Sequence, residues 1–258
     1  AIQKQAQRLL HVSNYYHIGP QIRLAKLLVQ HTFADKVFFC NSGAEANETA
    51  LGYCYRLRVN LEANKVLAFE GSFHGRTLIT LAATWNKSKR EPFEWKNYLA
   101  EYVKYPELYD SNINVSIPNN WREIWNEASL KNFHVPSDWS SDPMIEKEIS
   151  SLLAVRDQLL SKKIFAIMIE PMQCEGGDCY SSDRFHTALL LMAKTFKVPV
   201  IHDEVQTGFH LGQEFFWHRQ LNLRGIDGEQ INPDYVICAK KAQIGIVLSH
   251  HATKNIFK

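Results

Sequence analysis

Two short apolar runs in this sequence end in the residues best suited to chemistry. Val198–Ile201 leads into His202, Asp203 and Glu204, and Tyr235–Ala239 leads into Lys240 and Lys241. A buried carboxylate beside the nitrogen of a heterocycle keeps that nitrogen protonated, and the protonated ring then accepts electrons from a carbanion. Asp203 is the candidate for that task. A lysine on the lip of a partly dry pocket can bond to a carbonyl carbon and afterwards shuttle a proton. Lys240 is the candidate there. Val205 can pack on one face of such a ring, and Gln206 can hydrogen-bond a ring hydroxyl. Structural assignments compete with both. Asp203 and Glu204 also suit the cap of a following helix, and a Lys-Lys pair also suits a solvated turn.

Two further stretches bear on the same chemistry. Ser42-Gly43-Ala44 stands where the strand-like run Lys36–Cys40 enters a helix, and Ser42 and Glu45 have the spacing of a capping box. The first-turn N–H groups of a helix have no helical partner, and that end of the dipole is positive, so a phosphate is accommodated there. A plain capped helix has the same signature. Phe73-His74-Gly75 sets an aromatic ring and an imidazole on a tight turn. The ring either stacks on a planar cofactor or fills the core. His202-Asp203-Glu204 is not read as a metal site. Adjacent strand residues point to opposite faces, and no second His/carboxylate pair has ligand spacing. Neither a G-x-G-x-x-G pattern nor a P-loop is present.

The elements that must carry these residues follow from periodicity. Ile22, Leu24, Ala25, Leu28 and Val29 recur at helical spacing, which predicts a helix over Gln21–His31. A second helix is expected from the capping box to about Val59, a strand at Lys65–Phe69, and a helix near Arg76–Ala83. Met144–Lys163 and Asp183–Lys197 are helical in pattern, and Ala1–Leu10 reads as a helix within a domain. Ile164–Ile169 is almost purely apolar, as in a strand covered on both faces, and it ends at Glu170. Val198–Ile201 and Tyr235–Ala239 are strands, the second being the last clear one. Between Asn86 and Pro143 the texture changes. Four of the six tryptophans (Trp95, Trp121, Trp125, Trp139) lie there among Asn, Ser and Pro, and loops with short helices are expected, Trp121–Leu130 the clearest. Strands alternating with helices call for an α/β fold, a mainly parallel sheet with helices on both faces. In such sheets ligands bind beyond the carboxyl ends of the strands. Five expected strand ends carry Ser42 to Ala44, Phe73 to Gly75, Glu170 to Glu175, Asp203 to Gln206, and Lys240. That coincidence outweighs any single motif.

Composition narrows the class. The chain has 258 residues, 45% hydrophobic and 22% charged, with a formal net charge of +2. This is an ordinary globular composition with no reason to expect a nucleic-acid partner. No apolar run is long enough to span a membrane. The five cysteines are scattered, which fits neither a disulfide framework nor a zinc site, and the cytoplasm is the default expectation.

Taken together, these residues resemble the class III aminotransferases, pyridoxal-phosphate enzymes of fold type I. Phe38–Glu48 resembles the phosphate-binding signature of acetylornithine and ornithine aminotransferases, as do the stretches 11–16 and Ile22–Ala25. Phe73–Thr77 matches the family's ring-stacking turn, and Ile169–Asp178 and Asp203–Gly208 match its two central motifs. Ala239–Gln243 is more similar to the lysine 6-aminotransferase and 4-aminobutyrate aminotransferase branch. The resemblance implies pyridoxal 5'-phosphate as cofactor. It implies that Gly43 and Ala44 bind the phosphate with Ser42 close by, that Phe73 and Val205 sandwich the ring with His74 on the same turn, and that Asp203 pairs with the ring nitrogen. Gln206 would contact the ring oxygen, Lys240 would form the Schiff base, and Glu175 would gate the substrate carboxylate. Glu170 falls near the pocket. The implied reaction moves the terminal amine of an amino acid donor to a 2-oxo acid such as 2-oxoglutarate, with no metal, in a homodimer. An aminomutase or racemase of the same fold, or an inactive truncated chain, are the alternatives. As an expectation, residues 1–258 form the cofactor-binding large domain, with about 94–142 an insertion. The family's N-terminal segment and C-terminal small domain are expected to lie outside the sequence.

Overall fold

A computed structural model describes residues 1–13, 15–93, 99–107 and 143–250. Seven strands form the main sheet: β1 (Lys36–Cys40), β2 (Lys65–Phe69), β3 (Leu99–Val103), β4 (Ile164–Ile169), then, after the two-stranded ribbon β5 (Met172–Gln173) and β6 (Cys179–Tyr180), β7 (Val200–Asp203), β8 (Tyr235–Cys238) and β9 (Gly245–Ser249). Their spatial order is β1-β9-β8-β7-β4-β2-β3. The pairs β3/β2, β2/β4, β4/β7 and β7/β8 are parallel, while β9 runs antiparallel to both β8 and β1. The expected mainly parallel α/β sheet is therefore present.

Why the inner strands read as unbroken apolar runs is plain from their two faces. Leu67, Phe69, Ile167 and Ile169 pack with the helices Pro143–Leu160 and Asp183–Phe196. The alternate residues Val66, Ala68, Ala166 and Met168 pack with Ala46, Ala50 and Leu51 of the helix Gly43–Leu57. Successive side chains of a strand point to opposite faces, so a strand covered on both sides needs apolar residues at every position. The alternation also fixes the chemistry of β7. Ile201 and Asp203 fall on the side of the helix Gly43–Leu57, and His202 on the other.

Several boundaries depart from the sequence pattern. The strand expected at Val198–Ile201 lies at Val200–Asp203, because His202 and Asp203 are buried in the sheet despite their polarity. Tyr235–Ala239 is not the last strand, since β9 follows it. Lys240 sits two residues beyond the end of β8, on a 3₁₀ turn over Lys240–Ala242. The N-terminal helix is short, Ile2–Ala6, with no buried residue. Inside the stretch expected to be loops, β3 forms the sheet edge in register with β2, so the start of that stretch belongs to the sheet. The expected helix Trp121–Leu130, residues 94–98 and 108–142, and position 14 lie outside the described residues. All five cysteines are free. No helix among the described residues is long and apolar enough to cross a membrane.

β9 begins at a closely packed corner of the sheet. A Cβ on Gly245 would meet the Ser42 carbonyl oxygen and lie 2.6 Å from Cys40 Sγ. Gly245→Ala should therefore destabilise the fold by about 1–3 kcal/mol, the usual cost of overpacking. The midpoint of chemical denaturation measures this, and an unchanged midpoint would show that the corner has room.

Candidate active site

Asp203 ends β7 on the floor of a cavity and is 4% exposed. Its Oδ2 accepts from Asn47 Nδ2 at 2.7 Å and meets His74 Nδ1 at 2.8 Å. Its Oδ1 accepts the Val205 N–H at 3.1 Å. Asn47 reaches it from the first turns of the helix Gly43–Leu57, on the face turned to the sheet. Its amide also donates to the His74 carbonyl at 2.8 Å, so the turn after β2 and the end of β7 are locked together. His74 Nε2 is buried with no hydrogen-bond partner among the described residues. An ionised carboxylate only accepts, so the proton of this contact belongs to His74 Nδ1.

The turn carrying His74 is itself braced. The His74 N–H donates to Thr84 Oγ1 at 3.0 Å, and the Phe73 N–H donates to Glu170 Oε1 at 2.9 Å. The Phe73 ring is half-buried with Lys89 Nζ 5.0 Å from its centroid. Glu170, at the end of β4, is buried at 3% exposure. Burial, and then the charge of Asp203, push its carboxyl well above the usual range.

The helix opens as its sequence requires. Ser42 Oγ accepts the Glu45 N–H at 3.2 Å, and Glu45 Oε2 accepts the Ser42 N–H at 3.1 Å, completing the capping box. The hydroxyl is thus committed to the cap. Gly43 and Ala44 open the first turn, where N–H groups have no carbonyl within the helix to donate to. Gly43 is small because Val205 leans on it: a Cβ there would lie 2.8 Å from Val205 Cγ2.

One cavity of about 550 Å³ gathers these groups. Ser42, Gly43, Ala44, Phe73, His74, Asp203, Val205, Gln206 and Lys240 all line it, with Asn47 and Glu170. Lys240 is exposed and has a positive φ of 35°, uncommon for a non-glycine residue. Lys241 turns away, its Nζ donating to the Phe209 carbonyl at 3.2 Å. Glu175 is the member of the expected set not on this wall. It lines a larger cleft of about 1030 Å³ that holds neither Asp203 nor Lys240, and it is ion-paired with Lys89. That hydrogen bond and charge hold its carboxyl below the usual range.

Asn47, Thr84 and Lys89 were not assigned roles from the sequence. Asn47 lies one helical turn beyond Gly43, which puts it on the same helix face, the one signal that would have found it. Glu204 does what the competing assignment supposed. It caps the helix Trp217–Gln220, accepting from Trp217 N and His218 N at 2.5 and 2.9 Å. His202 lies behind the floor, its ring 5.0 Å from that of His186 and 6.4 Å from that of His218. Among the described residues no group of three His, Cys, Asp or Glu side chains is placed to hold a metal ion.

The chain is also similar to known proteins. The family described as Aminotransferase class-III matches residues 1–256. An acetylornithine aminotransferase from Nostoc sp. is 31% identical over 257 residues, covering 98% of this chain and 49% of that protein. One from Methanothermobacter thermautotrophicus is 35% identical over 210 residues, covering 81% and 41%. The solved lysine aminotransferase from M. tuberculosis superposes with a TM-score of 0.71 at 22% identity, over 94% of this chain and 51% of that one. The chain spans about half the length of the curated relatives it matches.

Proposed function

The chain belongs to the class III aminotransferases, and from that premise we propose that the intact protein is a pyridoxal-phosphate-dependent aminotransferase. It takes the terminal amine of an amino acid and passes it to a 2-oxo acid. One observation carries the reading: a carboxylate fixed by two side chains, a lysine on a tight turn and an open helix N-terminus, each following a different strand, line a single cavity.

The residues present suit the cofactor. The N–H groups of Gly43 and Ala44 are the phosphate cradle, with Ser42 fixing the cap that aims them. Phe73 and Val205 bracket a planar ring. Asp203 keeps one oxygen with a single protein donor and so can take the ring nitrogen, and Gln206 serves the ring hydroxyl. Lys240 supplies the amine that holds the aldehyde. When bound, pyridoxal phosphate supplies an aldehyde that captures the donor's amine and a protonated ring that withdraws the electron pair left on carbon. Asp203 keeps the ring nitrogen protonated. Lys240 would serve as the base that moves the proton at the substrate carbon. Glu175, held by Lys89, gates the substrate carboxylate from the neighbouring cleft.

The relatives support this donor class, among them acetylornithine aminotransferases and a succinylornithine transaminase. We read residues 1–258 as the cofactor-binding domain, with the remaining length of the relatives supplying the small domain, and the intact protein as a cytoplasmic homodimer. Reduction of the purified protein with borohydride followed by peptide mapping should place the reduced cofactor on Lys240. A colourless protein, or label on Lys241, overturns the reading. Amino exchange with 2-oxoglutarate separates transamination from an aminomutase or racemase, which would show none.

A further inference from the structure

Two buried carboxyl groups share the cavity floor, and the donors around them are unequal. Asp203 has three: the Asn47 amide, His74 Nδ1 and the Val205 N–H. Among the described residues Glu170 has one, the Phe73 N–H on Oε1. Both side chains are nearly out of water, at 4% and 3% exposure. Neighbouring carboxylates cannot both ionise cheaply in such a place, and hydrogen bonds to the charged form decide which one keeps its proton.

We propose that Glu170 is a neutral carboxylic acid at pH 7, that its proton sits on Oε2, the oxygen Phe73 does not hold, and that Asp203 is the single ionised carboxylate of the floor. Glu170 is thereby a positioning residue. It holds the Phe73 main chain through Oε1 and offers the cavity a donor where an ionised glutamate would only accept. It also spares an anionic cofactor a second negative charge. This last consequence rests on the function proposed above; the place of the proton does not.

The surroundings agree from every side. Asp203 on β7, Glu175 beyond β5 and the half-buried Cys174 supply negative or potentially negative groups, and Tyr105 beyond β3 is buried nearby. Lys240, exposed at the mouth, opposes them most weakly. Burial is the largest cause of the upward shift at Glu170.

The test is the infrared difference spectrum of wild type minus Glu170→Gln at pH 7, with and without pyridoxal phosphate. A protonated-acid carbonyl band that is lost in the variant is expected, and an ionised-carboxylate band in its place overturns the proposal. Linkage gives a second measurement. Glu170 has a folded-state value raised above 4.5, so the folded chain holds a proton that the unfolded chain releases. That favours the fold at low pH and is lost as pH rises toward the folded value. The unfolding equilibrium constant of wild type should rise about tenfold per pH unit above pH ~5 relative to Glu170→Gln. A flat ratio is contrary. A Gln variant that does not fold is equally contrary, because a neutral isostere suits a site that already holds a neutral acid. A colourless wild type would sink the cofactor reading and leave the infrared band to decide the proton. A yellow wild type without the band would sink only the proton's assignment.

Discussion

Replacing Lys240 by Ala should abolish borohydride-stable attachment of pyridoxal phosphate and lower transamination by about 10⁴-fold, the upper end for removal of a positioned acid–base group. The loss should come without unfolding. Lys240 is exposed, and its side chain makes no hydrogen bond within the described residues. Its backbone does the structural work, since the carbonyl accepts from Gln243 N at 2.9 Å and Gln243 Nε2 at 2.7 Å. Alanine keeps both bonds. It also keeps the positive φ no worse than before, because both are ordinary L residues there. Lys241 offers no substitute, being turned toward the Phe209 carbonyl. Turnover and melting temperature of the intact protein, measured together, check this. Substantial turnover in the variant, or label moved to the next lysine, would sink the role given to Lys240.

Asp203→Asn should cost about 10²–10³-fold in turnover, the scale of one lost electrostatic contact to the reacting charge. It should also cost about 1–3 kcal/mol of stability, the penalty for a buried donor left without an acceptor. Three donors converge on Asp203, and an amide brings only one acceptor oxygen. If that oxygen faces Asn47 and His74, the new NH₂ is set against the Val205 N–H. If it faces Val205, two donors lose their partner. The two effects separate by adding cofactor: ligand binding to the native state restores apparent stability by mass action, and it should not restore turnover. Unchanged turnover with cofactor bound would refute the electron-withdrawing role of the ring held by Asp203.

Much of this floor was legible before the fold. Lys36–Cys40, Lys65–Phe69 and Ile164–Ile169 were placed to the residue, because turn and cap residues bound each run on both sides. Ser42 and Glu45 announced the helix start through a local motif that tertiary packing had no reason to override. Where prediction slipped, packing had overruled composition. β7 extends through His202 and Asp203 because their polar groups are met inside the protein or packed against other rings, which no propensity can foresee. β3 was hidden by its position at the edge of the sheet formed by the described residues, where the apolar pattern is weak. β9 is a run of five residues opening on glycine, a weak local signal, and its antiparallel pairing with β1 and β8 makes it a strand. Asn47, the hinge of the carboxylate floor, looks like any polar residue in a helix. Only the sheet above it gives it a task.

The pairing of β1 has a kinetic consequence. Among the described residues β1 pairs with the sheet through β9 alone, in a register joining Lys36 to Ser249 and Cys40 to Gly245. These partners lie near opposite ends of the described chain, and closing so long a loop is among the slower, entropically costlier events of folding. The cradle at Ser42 to Ala44 hangs directly from β1. During synthesis, the parallel core β2-β4-β7-β8 can pair as its strands emerge, while the first strand waits for the ninth. The binding face should therefore mature last, and in refolding experiments competence for pyridoxal phosphate should lag behind the recovery of secondary structure.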